Sequence, residues 1–432
     1  MNLKLLLNYI YYNEMIKRIY NMFFNLLSQI FSFISIGITI LFVRILISLF
    51  LVLRKLFIRK NFYRKNILFL EVFPVDNSGY QYRAKKWAEL LNKNGFHCEV
   101  LTLIEEKSEF DKAIKGKNLS RFFIYSIRKR FKQCLYARNF ETVIVRRELL
   151  LFNDYGNLFM EKFLLKIHLN VILDFDDDIA AAKNNPRKIT SLYGKLLLED
   201  GNKFNNSLRL YRRFIVASDY LKQRVLEENP TLPPENICVI PTCVDYDHYP
   251  PKQYPLKLDK ITFGWIGGDH NYPMLDRLIP ILNRLSEKYS FRLIVIGGKE
   301  YKRPVTFELE FLPWSLESEV ENLYKIDVGL MPLTDSLKSR GKGGFKLLQY
   351  MGLGIVSVAS AITINKQIVD DGLNSLLVYD WDEWEYKLTL ILKNQINLQQ
   401  MGSMARLKIS KFYTFDANRE KYLSFISTIK QQ

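Results

Sequence analysis

Between residues 66 and 378 apolar side chains occur in short unbroken runs, and between the runs they recur every three or four positions. The runs read as strands: residues 66–73, 97–103, 142–145, 171–174, 213–217 and 237–240, then 261–266, 292–296, 327–331, 355–359 and 375–378. The intervening segments carry the spacing of amphipathic helices, as in residues 80–94, which stop at Gly95. Continuous apolar strands joined by helical crossovers imply parallel sheets covered on both faces. Pro230, Pro233, Pro234, Pro241, Pro250, Pro251 and Pro255 crowd the gap between the two strand series, as a hinge would. The pattern predicts an α/β protein with two Rossmann-like parallel-sheet domains, residues 66–245 and 246–414, facing across a cleft. A last helical pattern, residues 415–430, opens a closing segment 415–432 that can cross back onto the first domain. Ligands of open α/β sheets bind beyond the carboxyl ends of the strands, here loops 74–79, 146–149, 174–178, 267–272, 332–346 and 360–365.

Residues 1–65 follow a different pattern. No charge occurs between Arg18 and Arg44, and a second apolar run fills residues 45–53. That is long enough to cross a bilayer, which takes about 20 apolar residues. No cleavage site of small residues follows it, so it reads as a retained N-terminal hydrophobic membrane helix and basic linker. Seven basic residues lie from Arg44 to Lys65 and three precede the segment, which places the rest of the chain on the cytoplasmic face of the cell membrane. Asn21, Asn25, Ser28, Ser32, Ser35 and Thr39 form a polar stripe at helical spacing. The stripe fits a helix lying in the membrane interface as well as a single-pass helix packed on a partner; a soluble packing helix is the remaining reading.

The 432 residues, 48% hydrophobic, suffice for two or three domains with their own cores. The net charge of +17 suggests nucleic acid, but residues 1–65 alone hold ten Lys or Arg against the single acid Glu14. The excess flanks the apolar segment, which fits a membrane surface and argues against a nucleic-acid partner. Cys98, Cys134, Cys238 and Cys243 form no C-x-x-C pair and no disulfide framework, and the four histidines do not cluster. A structural or catalytic zinc site is therefore not expected.

The stretch most suggestive of chemistry is Arg340-Gly341-Lys342-Gly343-Gly344-Phe345-Lys346, which runs into a short apolar helix. A helix start presents unpaired amides and the positive end of a dipole, glycines admit an anion closely, and the cations add full charges. The loop therefore points to a phosphorylated ligand, although its spacing matches neither a P-loop nor G-x-G-x-x-G.

Residues 66–430 resemble a GT-B glycosyltransferase of the retaining family 4 type. The likeness rests on Gly264-Trp265-Ile266-Gly267, residues 327–333, Gly341-Lys342 with residues 345–351, and Ile368-Val369 with Asp371-Gly372-Leu373-Asn374. In the amino half it rests on Arg83, on Arg146-Arg147-Glu148-Leu149-Leu150, and on Asp174-Phe175-Asp176-Asp177, as in a subgroup met in bacterial surface-polysaccharide assembly. The resemblance implies a nucleotide-sugar donor held by the carboxyl domain and a glycan or lipid-linked acceptor held by the amino domain, with no metal and no cofactor expected. Three features depart from it. Gly341 and Gln349 stand where a pair of carboxylates is usual, the usual Arg and Lys are not evident in residues 267–271, and Thr363 and Ser375 replace glycines.

On this reading Lys342, Lys346 and Arg340 meet the donor diphosphate, with Gly267, His270, Gly343, Gly344 and Gln349 completing the donor site. Lys346 stabilises the leaving group, and Asp176 orients the acceptor hydroxyl or the sugar; the alternative for the aspartate run is an N-cap cluster. Arg83 and Arg147 suit an anionic acceptor, since arginine pairs phosphate bidentately, although either could pair with a carboxylate instead. Trp314 either stacks on a nucleobase or belongs to the core. The expected function is glycosyl transfer in cell-surface glycan synthesis with retention; the alternative is a non-catalytic sugar-nucleotide-binding scaffold of a membrane glycan-assembly complex.

Overall fold

The structure is a computed structural model that describes residues 34–52, 65–106, 108, 119–151, 158–179, 202–254 and 260–428, with Met22, Leu27, Ile30 and Phe31 besides. Linker residues 53–64 and the stripe residues Asn21, Asn25, Ser28 and Ser32 lie outside the described residues.

Two six-stranded sheets, parallel throughout, organise the chain. The first contains β1 (Asn66–Glu71), β2 (His97–Thr102), β3 (Thr142–Arg146), β4 (Val171–Phe175), β5 (Phe214–Val216) and β6 (Ile237–Val239), in the order β2-β1-β3-β4-β5-β6. The second contains β7 (Ile261–Ile266), β8 (Phe291–Ile296), β9 (Glu308–Leu312), β10 (Val328–Met331), β11 (Val356–Ser360) and β12 (Leu376–Val378), in the order β12-β11-β10-β7-β8-β9. Eleven strands fall where the apolar runs place them. The pattern misses β9, whose Glu-Leu-Glu-Phe-Leu alternates because it is a partly exposed edge strand.

Period-two side-chain alternation explains why the other strands read as unbroken runs. Leu68, Leu70, Val143 and Val145 pack on one face with Phe123, Ile127 and Phe163. Ile67, Phe69, Ile144 and Ile172 pack on the other with Trp87 and Leu91. The closing helix Phe415–Ser427 lies on this second face, where Trp87 stacks on Tyr422 at 3.9 Å and meets Phe415 edge-on at 5.1 Å. The chain crosses between domains twice, and the crossings run side by side, Val244 N donating to Tyr413 O at 2.9 Å.

The apolar helix Ile34–Val52 does not stand free. Ile36, Val43 and Ile47 are buried in the amino-domain core beside the helices Leu119–Tyr136 and Phe159–Ile167, and Phe50 meets Phe163 at 5.9 Å. Its other face shows Ile34, Ile38, Leu41, Phe42, Ile45, Leu49 and Val52 to the outside. Ser35 and Thr39 donate to the carbonyls of Phe31 and Ser35, each at 2.9 Å.

Thr363 opens the helix Thr363–Ile368 with φ +31°, in the left-handed region that a β-branched side chain rarely enters. The glycine expected there would relieve this strain. Thr363→Gly is expected to raise stability by about 1 kcal/mol, left-handed strain outweighing the entropy of an added glycine. The urea midpoint measures it, and a lower midpoint contradicts it.

Candidate active site

The carboxyl ends of both sheets open onto one cavity of about 570 Å³ between the domains. Of the six loops named from the sequence, 74–79, 174–178, 267–272 and 332–346 contribute to its walls, whereas 146–149 and 360–365 do not. Gly267, His270, Lys342, Gly343, Gly344, Lys346, Gln349, Asp176 and Arg83 all border it.

Its floor on the carboxyl side is the start of the helix Phe345–Gly352. Gly344 turns the chain into that helix at φ +71°, which glycine adopts without a steric penalty. A helix start leaves amides without partners inside the helix, and here Gly344, Phe345 and Lys346 border the cavity, while Leu347 N donates to Gly344 O at 3.0 Å. Lys346, one residue into the turn, lays its Nζ 3.9 Å from the centre of the Trp265 ring. A Cβ on Gly267 would come within 2.8 Å of that nitrogen, so the ammonium sits over the end of β7. Lys346 thus reaches the place after the first carboxyl-domain strand where the sequence offers no cation. The surrounding protein, and then the charge of Lys342, hold its pKa well below the usual lysine value. Desolvation and the charges of Lys342 and Lys338 likewise lower that of His270, at the cavity mouth.

On the amino side two arginines organise the aspartate run. Arg83 grips Asp174 through Nε at 3.1 Å and Nη2 at 2.6 Å, while Nη1 donates to the carbonyls of Ile240 and Pro241. Its guanidinium is fully engaged and braces β4 against the end of β6. Arg146, also buried, binds Asp176 Oδ1 at 2.6 Å and stands 3.6 Å from Asp174. Burial opposes ionisation of Asp176, but Arg146, Arg83 and Arg147 together pull its carboxyl down to about 2. Asp178 pairs with Arg224 at 3.1 Å, and its amide donates across the cleft to Gly341 O at 3.1 Å. A Cβ on Gly341 would lie 2.4 Å from that of Asp178, so no larger residue fits there in this arrangement. Asp177 opens onto the cavity; among the described residues it makes no ion pair, and its Oδ1 accepts from Gly343 N at 3.3 Å. These carboxylates do not converge, and no cluster able to hold a metal ion occurs among the described residues.

Arg340 and Arg147 lie apart from the cavity walls. Arg340 pairs with Asp335 at 2.6 Å and borders a separate hollow with Tyr379 and Trp381. Arg147 lies over the Phe73 ring at 5.6 Å, with φ +64° and a buried Nε that has no hydrogen-bond partner. Trp314 borders the cavity and donates from Nε1 to Glu319 at 2.7 Å.

Glu319 is buried and was not visible to sequence reasoning. Its carboxylate also accepts from Tyr249 at 2.5 Å and from Tyr82 of the amino domain at 3.0 Å. Tyr82 reaches it from a π-helical turn, Gln81–Lys85, in which four successive residues are buried. Thr242, just beyond β6, was missed as well: only 4% exposed, it borders the cavity, and its hydroxyl has no hydrogen-bond partner among the described residues.

Residues 260–394 match the family model of glycosyl transferases group 1. No curated protein sequence matches the chain. Among solved structures, sucrose-phosphate synthase of Thermosynechococcus elongatus superposes with TM-score 0.59 and 13% identity, over 84% of this chain and 98% of that one. HepE of Anabaena, solved with UDP-glucose, gives 0.55 and 14%, over 84% and 100%. The lipopolysaccharide outer core galactosyltransferase WaaB gives 0.53 and 13%, over 84% and 99%.

Removing Arg146 strands the buried Asp176 carboxylate, whereas Asp174 keeps Arg83. Arg146→Ala is expected to cost about 3–5 kcal/mol in urea unfolding, since an uncompensated buried charge remains. Asp177→Ala, which removes no ion pair, is expected to cost less than about 1 kcal/mol; equal losses contradict the partition. The depressed Asp176 carboxyl stabilises the fold fully above pH 4 and loses that contribution as pH falls toward 2.

Proposed function

We propose that this chain, a GT-B protein with a glycosyl transferases group 1 domain, transfers a sugar from a nucleotide-sugar donor to a hydroxyl of a glycan or lipid-linked acceptor at a membrane surface. The observation that carries the reading is the convergence of Lys342, Lys346 and the start of the helix Phe345–Gly352 on the cavity between the sheets. That arrangement suits the diphosphate of a nucleotide sugar. HepE was solved with UDP-glucose, and WaaB acts on the lipopolysaccharide outer core; both support the substrate classes.

In the proposed reaction the bond from the anomeric carbon to the phosphate oxygen breaks, and a bond from that carbon to the acceptor oxygen forms. The electron pair leaves on the diphosphate, where Lys342, Lys346 and the helix amides meet it. Attack from the same face gives retention, and the hydroxyl proton passes to the departing phosphate oxygen. The lysines and amides supply the positive charge that a divalent metal would otherwise bring. Gln349, buried on the cavity floor, suits neutral hydrogen bonding to donor hydroxyls. Arg147, strained and with an unpaired nitrogen, is the cation suited to an anionic acceptor.

The helix Ile34–Val52, apolar on its exposed face, supports a location at the cytoplasmic face of the membrane, and its packing favours lying in the interface over crossing it. Its 19 residues would suffice to span, but spanning would strip Ile36, Val43 and Ile47 from the amino-domain core. It would also bring Arg44, one residue from the helix centre, to the bilayer midplane at a cost of about 2.5–3.5 kcal/mol. Lying flat, the exposed apolar face enters the lipid. Arg44, with Arg54 and Lys55 just beyond the helix in sequence, then meets anionic headgroups.

Lys346→Ala is expected to remove most transfer activity with an unchanged melting temperature; wild-type turnover overturns the phosphate assignment. Diphosphate favours the ammonium form, so a lysine whose pKa is lowered in the free protein takes up a proton on binding. Titration of UDP or GDP over a series of alkaline pH values, in buffers of different ionisation enthalpy, is expected to show net proton uptake wherever the free-protein lysine is already losing its proton, an uptake that Lys346→Ala abolishes. Replacing Ile38, Leu41 and Ile45 together by Ser is expected to cut flotation with phosphatidylglycerol-containing vesicles roughly tenfold without loss of folding. Tags at the two chain ends are expected on the same side of the membrane, and tags on opposite sides overturn the interfacial placement.

A further inference from the structure

The loop that receives the donor phosphate is met, across the cleft, by side chains of the amino domain. At Gly343 the Asp177 carboxylate lies 3.3 Å from the amide, and a Gly343 Cβ would meet the Asp176 carbonyl at 3.1 Å, the Thr242 hydroxyl at 3.6 Å and Ala217 at 3.8 Å. Their neighbours are already committed: Asp176 to Arg146, and Asp178 to Arg224. Among the described residues Asp177 makes no ion pair, although the charges of Lys342, Arg147 and Arg146 act on it, and Thr242, a residue of the cavity wall, has a buried hydroxyl with no hydrogen-bond partner. A buried polar group without a partner is costly, and one that borders a cavity is explained by a ligand that completes it.

We propose that Asp177 and Thr242 bind the sugar carried on the donor's terminal phosphate, through its hydroxyl groups. The inference rests on the reading of Lys342 and Lys346 as the diphosphate site. A group attached to a phosphate at that site projects toward the opposite wall, where these two side chains stand. A carboxylate accepts from sugar hydroxyls, and a threonine hydroxyl both donates and accepts, so the pair can distinguish the orientation of neighbouring hydroxyls. In the ligand-free protein Asp177 occupies the Gly343 amide as an internal anion. An arriving phosphate takes over that amide and frees the carboxylate for the sugar. Desolvation by the surrounding protein and the charge of Asp176 raise the pKa of Asp177, so the carboxylate gains from a hydroxyl donor.

The test compares Asp177→Ala and the isosteric Thr242→Val with the wild-type full chain. Calorimetric titration uses UDP and UDP-glucose, and GDP and GDP-mannose; melting temperature monitors folding. Both variants are expected to bind the nucleotide sugar roughly 10- to 100-fold more weakly, as loss of hydrogen bonds involving a charged or buried group implies. Thr242→Val is expected to leave affinity for the bare nucleoside diphosphate unchanged, and Asp177→Ala to strengthen it by removing a competing anion. Equal losses for the sugar conjugate and the bare diphosphate overturn the inference, as does no loss in either variant. Wild-type protein that binds no nucleoside diphosphate contradicts the proposed function itself, a separate failure.

Discussion

Across the cleft the two domains touch through backbone as well as side chains: Asp178 N donates to Gly341 O at 3.1 Å, and Gly343 N donates to Asp177 at 3.3 Å. This contact joins the end of β4 to the loop that starts the helix Phe345–Gly352. Much of the site follows from it. Gly341 has no room for a side chain because Asp178 fills the space. The Gly343 amide is held against an aspartate, and Lys342 and Lys346 lie on the same short stretch. Behind it, the buried Arg83–Asp174 and Arg146–Asp176 pairs fix the aspartate run, so the loop arrives already shaped.

The departures from the family pattern have physical counterparts. Where a carboxylate would be usual at 341, the neighbouring domain brings Asp178 within contact and Asp177 to the loop amide. The missing cation after β7 is met in space by Lys346, which folds back over Trp265 toward Gly267. Thr363 stands in the left-handed region, where a glycine would carry no strain.

The sheets were legible because buried parallel strands are apolar on both faces, and the glycine-lysine loop that borders the cavity because glycines and lysines adjoin a helix start. The edge strand β9 was not, since one of its faces meets solvent and its pattern alternates. Asp177 could not be told from Asp176 in a row of acids, because only the reach of Arg146 in the fold separates them. Glu319 sits in a locally acidic, helical stretch and looks solvated, until Tyr82, Tyr249 and Trp314 close around it from distant parts of the chain. Thr242 belongs to no motif; its significance is the absence of a partner, which no sequence pattern records.

The most direct measurement is a crystal structure of the full chain with a bound nucleoside diphosphate sugar. The account predicts the terminal phosphate against the Gly343 and Gly344 amides at the start of the helix Phe345–Gly352, with the Lys346 ammonium in contact and the Asp177 carboxylate moved off Gly343. A diphosphate bound elsewhere, or one that leaves Asp177 on the Gly343 amide and Lys346 over Trp265, would contradict it.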